Sequence, residues 1–485
     1  MNTPNITKDL LQKIQEGIYQ IPTTYRSDMR VPAQVFVSES MLEDILQDRS
    51  LEQLVNVSTL PGIVQAALAM PDIHQGYGFP IGGVAALTFD QGVISPGGIG
   101  YDINCGVRLL AASISAQEIK KYLPALADAL FKAVPSGVGR GGTIKLSRTE
   151  LDKILVDGAH HMLSMGYGID SDLEYCEERG SMAQADPTTV SDKAKERGFD
   201  QLGTLGSGNH FLEIQEVQDI FDTEAAGIFG LKKNMITIMI HCGSRGVGHQ
   251  TCTDYVRRMI PKLDQWGIVL PDKELACAPL TSIEGSEYFS AMAASANFAW
   301  ANRHVIGHAV RKAFSDILGN SVDVRSVYDL SHNIGKKEMH IVNGNPTPLL
   351  VHRKGATRAF GPDRPEVPTA YQSVGHPVLI PGTMGTSSYV LVGTDQETNK
   401  AFGSSCHGAG RRMSRMQAKK TIRGTTLRQE LEDRGIIIRC ESDAGLAEEA
   451  PTAYKDVDAV IQVVQNSGLA KPVARLTPLA VIKGG

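Results

Sequence analysis

The chain is organised around the glycine-rich stretch SPGGIGYDINCGVR, which runs from Ser95 to Arg108. Its glycines let the backbone adopt conformations that a Cβ atom would forbid and approach a ligand closely. Asp102 and Cys105 stand in the middle of this loop. A carboxylate and a thiolate could bind a metal ion together if histidines arrive from elsewhere in the chain. The alternative is that Cys105 is a small buried apolar residue.

The composition is that of an ordinary globular protein. The 485 residues, 42% of them hydrophobic, could form about three average domains or one large one. Seven cysteines without a CxxC pair argue against a disulfide framework and favour the reducing cytoplasm. No apolar run approaches the roughly 20 residues of a membrane span, and the N-terminus does not resemble a signal peptide. Because the net charge is −5, nucleic-acid binding would depend on local basic patches.

Hydrophobic periodicity predicts a mixture of helices and strands. Apolar spacing predicts helices at 6–20, 39–55 and 116–134, and glycines and prolines predict a loop at 70–80. Strand-like apolar runs occur at 84–89, 107–114, 235–240 and the end of 322–330. No internal repeat and no convincing linker interrupts this pattern, so the residues themselves mark no domain boundary.

Three histidines lie where strand-like runs meet loops, at His210, His241 and His332. Each of them alone could be structural, but together with Asp102 and Cys105 they favour a metal site. Five ligands exceed the four that a tetrahedral ion takes. The pattern therefore predicts a two-metal site, with ions about 3.5–4 Å apart.

Other polar motifs carry less weight. Asp72 and His74 could hold the residues of a site in place without contacting its ligand, or they could simply form a turn. His304 and His308 have the spacing of zinc proteases but lack the glutamate that acts there as the base, so both are predicted to be structural. The stretch 137–142 is only loosely similar to a phosphate loop, and a flexible surface loop is the expectation.

Two further stretches fit a nucleotide. Residues 380–389 offer small side chains, hydroxyls and free amides for a phosphate or a base. His407 stands among glycines, and six basic residues without an acidic one follow between Arg411 and Arg423. This basic run is either a solvated helix face or a contact with a phosphate backbone.

From about Met70 to the last residues, the chain resembles the RtcB family of RNA-splicing ligases. The matching strings are PDIHQG at 71–76, DINCG at 102–106, GNHF at 208–211, HCGSRG at 241–246, HNI at 332–334 and HGAGR at 407–411. The resemblance implies one α+β unit over 1–485, with mixed and antiparallel sheets around a central metal and nucleotide cleft. It also implies an enzyme of tRNA splicing or RNA repair that uses GTP and two Mn²⁺ ions. Such an enzyme joins a 2′,3′-cyclic phosphate or 3′-phosphate RNA end to a 5′-hydroxyl end.

The resemblance further implies roles for individual residues. His407 would be the nucleophile that takes GMP from GTP as a phosphoramidate, and an archease-type protein could activate the enzyme. The metal ligands would be Asp102, Cys105, His210, His241 and His332, with Cys105 bridging the two ions. Asn209 would hold the α-phosphate, Phe211 and Tyr454 the guanine faces, Glu213 the ribose side, and Ser388 and Lys483 the guanine edge. The nucleotide pocket would also include His210, Leu212, His332, Asn333, Pro381, Gly382, Thr383, Met384, His407, Gly408, Ala409 and Gly410.

Lys483 lies close to the end of the chain, where side chains are usually frayed. The preceding residues 478–482 are apolar enough to dock as a strand or extended segment. Two departures from the family pattern stand out: Cys242 replaces a usual Ser or Thr, and Glu196 replaces a usual basic residue before Arg197. The second departure weakens one expected contact with an RNA phosphate.

Three other functions remain open. A binuclear metal phosphoesterase that hydrolyses RNA ends explains the five ligands but gives no role to His407, Ser388 or Lys483. An RNA-binding module with structural metals leaves the glycine-rich loops unexplained. A lysine-nucleotidylating ligase would need a Lys-x-Asp-Gly string, which the sequence lacks.

Overall fold

The computed structural model describes residues 6–137, 139, 141–395 and 398–484. Its elements mix helices and strands, which confirms the predicted α+β class. That 1–485 forms a single domain stays a prediction. In the described part of the chain, no helix is both long and apolar enough to cross a membrane.

The strands are numbered in chain order. They are β1 Gln12–Gln15, β2 Ile18–Ile21, β3 Ala33–Phe36, β4 Ala67–His74, β5 Ile81–Thr88, β6 Val93–Ile94, β7 Gly106–Ser115, β8 Phe211–Ile220, β9 Met235–Cys242, β10 Ala278–Pro279, β11 Val324–Ser331, β12 Asn333–Val342, β13 Asn345–Lys354, β14 Ala356–Arg358, β15 Pro377–Ile380, β16 Ser388–Gly393, β17 Ser404–Cys406, β18 Ile437–Cys440 and β19 Ala470–Lys483.

The α-helices are numbered in the same way. They are α1 Leu42–Ile45, α2 Ser50–Val57, α3 Ala116–Ile119, α4 Leu123–Ala133, α5 Arg148–Asp157, α6 Ala159–Ser164, α7 Ser171–Glu174, α8 Asp192–Glu196, α9 Thr223–Phe229, α10 Arg245–Met259, α11 Ile283–Leu318, α12 Arg415–Thr421, α13 Gly424–Asp433, α14 Asp443–Glu448 and α15 Val457–Asn466. Short 3₁₀ turns include Lys8–Leu10, Glu39–Met41, Pro96–Gly98 and Lys120–Tyr122.

Two large mixed sheets form the framework. The first has the strand order β1-β2-β3-β4-β5-β13-β12, antiparallel except where β3 pairs with β4. The second has the order β11-β7-β9-β8-β19-β16-β15, antiparallel along this path, and β18 adds to β19 in parallel. Apolar side chains bury both faces of the second sheet, against α4 and α11 on one side and α9 on the other. Burial on both faces explains why β9 reads as a continuous apolar run.

The 36-residue helix α11 packs against one face of the second sheet. The Ser282 side chain caps its start by accepting a hydrogen bond from the Gly285 amide at 3.1 Å. Arg303, fully buried in its middle, donates to the carbonyls of Asn104 and Cys242 at 2.8 and 2.9 Å. Its Nε also donates to Asp329 at 2.9 Å. One guanidinium therefore joins the loop that carries Asp102 and Cys105 to the end of β9, where His241 lies.

Most of the predicted elements are present, with two corrections. The predicted strands at 84–89, 107–114 and 235–240 correspond to β5, β7 and β9, while the helix at 116–134 is α3, a 3₁₀ turn and α4. The predicted helix at 6–20 is wrong, because β1 and β2 form a hairpin there. Gly17 turns this hairpin with a φ of 77°, and pairing of β2 with β3 outweighs the helical spacing of apolar residues.

The second correction concerns the predicted loop at 70–80. Its first half is the end of β4, and only the part after His74 is irregular. The pairing of β4 with β5 is interrupted between Ala69 and His74, so Pro71 is accommodated without a ladder hydrogen bond of its own. The predicted helix at 39–55 is divided into a 3₁₀ turn, α1 and α2.

Candidate active site

The predicted metal ligands meet because of the register of the second sheet. Gly106, the first residue of β7, lies opposite both Cys242 at the end of β9 and Ser331 at the end of β11. Phe211, the first residue of β8, lies opposite His241. In an antiparallel sheet, the start of one strand adjoins the end of its neighbour. The same end of four adjacent strands therefore carries all four residues, Cys105, His210, His241 and His332.

Their ligand atoms converge within hydrogen-bonding distance. Sγ of Cys105 lies 3.3 Å from Nε2 of His241 and 3.4 Å from Nε2 of His210. Nε2 of His241 lies 3.2 Å from Nε2 of His332, and Nε2 of His210 lies 2.8 Å from Oδ2 of Asp102. The thiol and the three imidazoles are all buried. Two groups of three donors result, Asp102/Cys105/His210 and Cys105/His241/His332, and they share the thiol.

The protonation chemistry of this cluster fits divalent cations. Burial raises the pKa of the Cys105 thiol to about 12, and it lowers the pKa values of His241 and His332 well below the usual range. Burial would lower the pKa of His210 too, but Cys242, Cys105 and the Asp102 carboxylate outweigh burial and raise it well above the usual range. Neutral imidazoles are the form that binds metal, so His210 and the Cys105 thiol would each give up a proton on binding. Nδ1 of His210 lies 3.0 Å from the Leu205 carbonyl, which can only accept a hydrogen bond. The other nitrogen, Nε2, is therefore the one directed at Cys105 and Asp102.

Asp102 is held in place by its neighbours. Its Oδ1 accepts a hydrogen bond from the Ser244 amide at 3.0 Å, and its carbonyl accepts one from Nδ2 of Asn333 at 3.0 Å. Burial would raise its pKa, but the hydrogen bond and charge of His210 together with the Arg245 cation outweigh burial, and the pKa falls to about 2. A Cβ at Gly243 would lie 2.2 Å from this carboxylate, so only glycine permits the approach.

His407 faces the cluster from outside the second sheet, next to the two-stranded sheet of β14 and β17. It follows β17, and its ring centroid lies 4.9 Å from that of His332. Oδ2 of Asp72, a fully buried residue of β4, lies 2.5 Å from Nδ1 of His407 and 3.1 Å from its amide nitrogen. Because a carboxylate accepts hydrogen bonds, Nδ1 carries the proton and Nε2 keeps a free lone pair. This arrangement creates a candidate nucleophile.

A cleft of about 1110 Å³ opens onto both His407 and the ligand cluster. Most of the predicted nucleotide-binding residues line it. They are Asn209, Phe211, Glu213, His332, Asn333, Pro381, Gly382, Thr383, Met384, His407, Gly408, Ala409, Gly410, Tyr454 and Lys483. Leu212 instead packs its side chain into the apolar core behind the sheet. Ser388 is buried and accepts hydrogen bonds from Gln215 and from the Gly382 amide, both at 3.1 Å.

The predicted docking of the tail is confirmed. Residues 470–483 form β19, an interior strand between β8 and β16, in which Lys483 lies opposite Phe211. Nζ of Lys483 is buried and donates to the carbonyls of Gly208 and His210 at 2.6 and 3.3 Å. Nearby, burial raises the pKa of the Glu213 carboxyl to about 7. The guanine pocket that the sequence predicts would thus have polar groups held by the sheet itself.

The basic run is only partly a solvated face. Arg411 pairs with Glu449 at 3.0 Å, and Lys419 and Arg415 both pair with Glu448. Arg412 pairs with Asp44 across the mouth of the cleft at 3.1 Å. Several of these cations therefore form ion pairs at the cleft and are not free to bind a phosphate.

Sequence reasoning left three residues of this site without a role. Asp72 remained undecided, although its place in the PDIHQG string could have marked it as the partner of His407. Glu449 and Arg303 carried no sequence signal, because their partners are distant along the chain. His304 and His308 are structural, as predicted: His304 contacts the Tyr167 carbonyl at 2.7 Å, and His308 contacts the Gly168 amide at 3.1 Å.

Comparison with known proteins adds an independent finding. A family model described as tRNA-splicing ligase RtcB matches residues 53–484. The chain is 52% identical over 478 residues to the tRNA-splicing ligase RtcB of Archaeoglobus fulgidus, which covers 98% of this chain and 99% of the relative. It is 51% identical over 477 residues to the tRNA-splicing ligase RtcB of Thermococcus kodakarensis, with 98% and 99% covered. The RNA-splicing ligase RtcB of Mycobacterium tuberculosis is 51% identical over 435 residues, 89% of this chain and 100% of the relative.

Proposed function

We propose that this chain, which belongs to the RtcB family of tRNA-splicing ligases, transfers GMP to an RNA end by way of a histidine. The chain is an RNA ligase that joins a 3′-phosphate end to a 5′-hydroxyl end at the expense of GTP. The observation that carries the proposal is the pair of Asp72 and His407, which opens onto the same cleft as the buried Cys/His cluster.

In the first step, Nε2 of His407 attacks the α-phosphorus of GTP. An N–P bond forms, the bond to the β-phosphate oxygen breaks, and pyrophosphate leaves. Neutral imidazole is a competent nucleophile near pH 7. Asp72 keeps the proton on Nδ1 and favours the positive charge that develops on the ring as the bond forms.

In the second step, an oxygen of the RNA 3′-phosphate attacks the phosphorus of the histidine-bound GMP, and the N–P bond breaks. GMP is now joined to the RNA end, and His407 is regenerated. In the third step, the 5′-hydroxyl of the other RNA strand attacks the 3′-phosphorus, GMP leaves, and a phosphodiester bond remains. A 2′,3′-cyclic phosphate would first be hydrolysed to the 3′-phosphate.

Manganese is the metal proposed for the site. Asp102, Cys105, His210, His241 and His332 would hold two ions, with Cys105 shared between them. When bound, such ions neutralise phosphate charge and orient the reacting groups. Because zinc binds Cys and His ligands more tightly than manganese does, supply and geometry would decide which metal is used.

The nucleotide would lie along the cleft. Asn209 would contact the α-phosphate, and Phe211 and Tyr454 the faces of the guanine. Lys483 and Ser388 would read the guanine edge, and Glu213 would lie on the ribose side. RNA is the partner of the reaction, and an archease-type activator is a further proposed partner.

Labelling with GTP tests the proposal against its alternatives. The protein is incubated with α-labelled GTP and Mn²⁺, denatured without acid, and separated from free nucleotide. A ligase of this kind keeps the label on His407, whereas a phosphoesterase or an RNA-binding module keeps none. Wild-type protein that retains metal but takes no label overturns the proposed reaction.

A further inference from the structure

Glu449 is a buried carboxylate at the cleft that contacts three side chains. Its Oε2 accepts hydrogen bonds from Nη1 of Arg411 at 3.0 Å and from the hydroxyl of Tyr454. Its Oε1 accepts one from Nε of Arg415 at 3.2 Å. Only 2% of Glu449 is exposed, although α14 ends immediately before it at the protein surface. Both carboxylate oxygens are therefore committed, and Oε2 is bonded both to the Tyr454 hydroxyl and to the arginine that covers the Tyr454 ring.

Arg411 holds the same ring from a second direction. Its guanidinium lies over the Tyr454 ring, 4.8 Å from the centroid, and its Nη1 also lies 3.0 Å from the hydroxyl. Nη2 donates to the Glu448 carbonyl at 2.8 Å and Nε to the Met413 carbonyl at 3.0 Å. A planar guanidinium bonded along its whole edge has little freedom to rotate. One face of the tyrosine is thus covered by Arg411, and the ring lines the cleft in which a base would lie.

The backbone joins this ring to the loop of the nucleophile. Arg411 and Tyr454 form an antiparallel bridge. The Lys455 amide donates to the Gly410 carbonyl at 2.9 Å, and the Arg412 amide donates to the Ala453 carbonyl at 2.8 Å. The segment that begins at His407 therefore runs beside the segment that carries Tyr454.

We infer that Glu449 is a positioning residue for guanine: with Arg411 it fixes the Tyr454 ring as a stacking surface and ties that surface to the His407 loop. The inference rests on the proposed function, in which Tyr454 stacks on the guanine of GTP. An unbraced tyrosine would lose rotamer freedom when a base binds, and a braced one has already lost it. The contribution of Glu449 therefore appears as nucleotide affinity and not as chemical rate.

The charge of Glu449 suits this role. Burial alone would raise the pKa of its carboxyl, but the cations of Lys483, Arg415 and Arg411 outweigh burial and hold the pKa below its usual range. The group is therefore an acceptor throughout the neutral pH range, which both the guanidinium and the phenol hydroxyl require. Glu449 and Lys483, the residue proposed to read the guanine edge, both line the cleft.

The test compares Glu449→Gln with the matched control Glu448→Gln. Glu448 is the neighbouring residue, pairs with Arg415 and Lys419, and does not contact Tyr454 through its side chain. Single-turnover labelling with α-labelled GTP and Mn²⁺ is measured over a range of GTP concentrations. Glu449→Gln should raise the half-saturating GTP concentration at least about tenfold with a maximal rate within about threefold of wild type. Glu448→Gln should behave like wild type, and all variants should keep their metal.

A second variant separates positioning from folding. Tyr454→Phe keeps the ring and loses the hydroxyl that donates a hydrogen bond to Glu449, so it should also raise the half-saturating GTP concentration. The double variant Tyr454→Phe/Glu449→Gln should be less impaired than the product of the two single effects. Unchanged GTP saturation in Glu449→Gln and Tyr454→Phe, or a loss of maximal rate alone, overturns the inference while labelling of the wild type upholds the proposed function. A wild type that takes no label overturns both.

Discussion

Oδ2 of Asp72 lies 2.5 Å from Nδ1 of His407, although the two residues are 335 positions apart in the sequence. Asp72 belongs to the first sheet, whereas the metal-ligand cluster that His407 faces is built on the second. The candidate nucleophile and the candidate metal site therefore come from different sheets. His407 follows β17, which pairs with β14 in a separate two-stranded sheet, so the Asp72–His407 pair is a direct contact between that small sheet and the first large sheet.

Asp72→Asn should reduce guanylate labelling at least about 100-fold. An amide in place of the carboxylate no longer favours the charged ring and can bind the wrong tautomer of the imidazole. His407→Ala should abolish labelling altogether. Labelling with α-labelled GTP checks both variants, and metal analysis should find near-normal metal in each. Asp90→Asn, which changes an exposed acidic residue outside the cleft, is the control and should label normally. Retained labelling in His407→Ala would remove this residue from the mechanism.

Cys105→Ala should lose both metal ions, because the thiol belongs to both groups of donors. Asp102→Ala should mainly weaken one ion, since Asp102 belongs to only one group. Elemental analysis after dialysis against Mn²⁺-containing buffer measures the difference. Cys252→Ala provides the matched control, because that buried thiol lies near the Pro96 carbonyl and outside the donor groups. A Cys105→Ala protein with two ions per chain contradicts the shared thiol.

Lys483→Met should sharply reduce labelling by GTP, by at least about tenfold, while the protein still folds. Its ammonium has three donors, and the Gly208 and His210 carbonyls occupy two of them. The third would be available for an acceptor such as O6 of guanine, where adenine carries an amino group. Lys471→Met, at an exposed position of the same strand, is the control. The prediction fails if Lys483→Met labels with GTP at the full rate and still rejects ATP.

The stability of the wild type should depend on pH through Glu213. Burial raises the pKa of this carboxyl from 4.5 to about 7 in the folded protein. The folded state therefore holds the proton more tightly than the unfolded state, so this contribution is complete below about pH 4.5 and is lost as pH rises through 7. In denaturant unfolding, the wild type should lose stability on the order of 3 kcal/mol between pH 5 and pH 8 through this group, and Glu213→Gln should not show that loss. An identical pH dependence in wild type and variant would show that Glu213 ionises without cost.

Arg303→Met should destabilise the protein by about 3–5 kcal/mol, because it removes one of the two buried cations that pair with Asp329, Arg108 being the other, and leaves two backbone carbonyls without their donor. The free energy of unfolding from urea denaturation measures this effect. Lys312→Met breaks the exposed pair with Asp316 on the same helix and should change the stability by less than about 1 kcal/mol. Equal effects of the two variants would mean that Arg303 does not join the loop to β9.

The sequence by itself determined the chemistry of the site. Metal ligation needs particular side chains, so the residue types alone made Asp102, Cys105, His210, His241 and His332 candidate ligands, and the structure brings their donor atoms together. Strands with long apolar runs, such as β9, were also predictable, because burial of both sheet faces requires apolar residues at successive positions. Residues 478–482 were apolar enough to predict that the tail docks, and β19 confirms it.

Only the tertiary structure decided which of these residues meet. Local periodicity placed a helix at 6–20, yet pairing of β2 with β3 made a hairpin, since strand formation depends on partners that are distant in the chain. In the same way, the antiparallel register brought Cys105 to His241, and the packing of two sheets brought Asp72 to His407. Glu449 gained its place beside Tyr454 and Arg411 through side-chain contacts that no spacing in the sequence encodes. Residue type determines which chemistry a side chain can perform, and long-range packing determines which other groups it contacts.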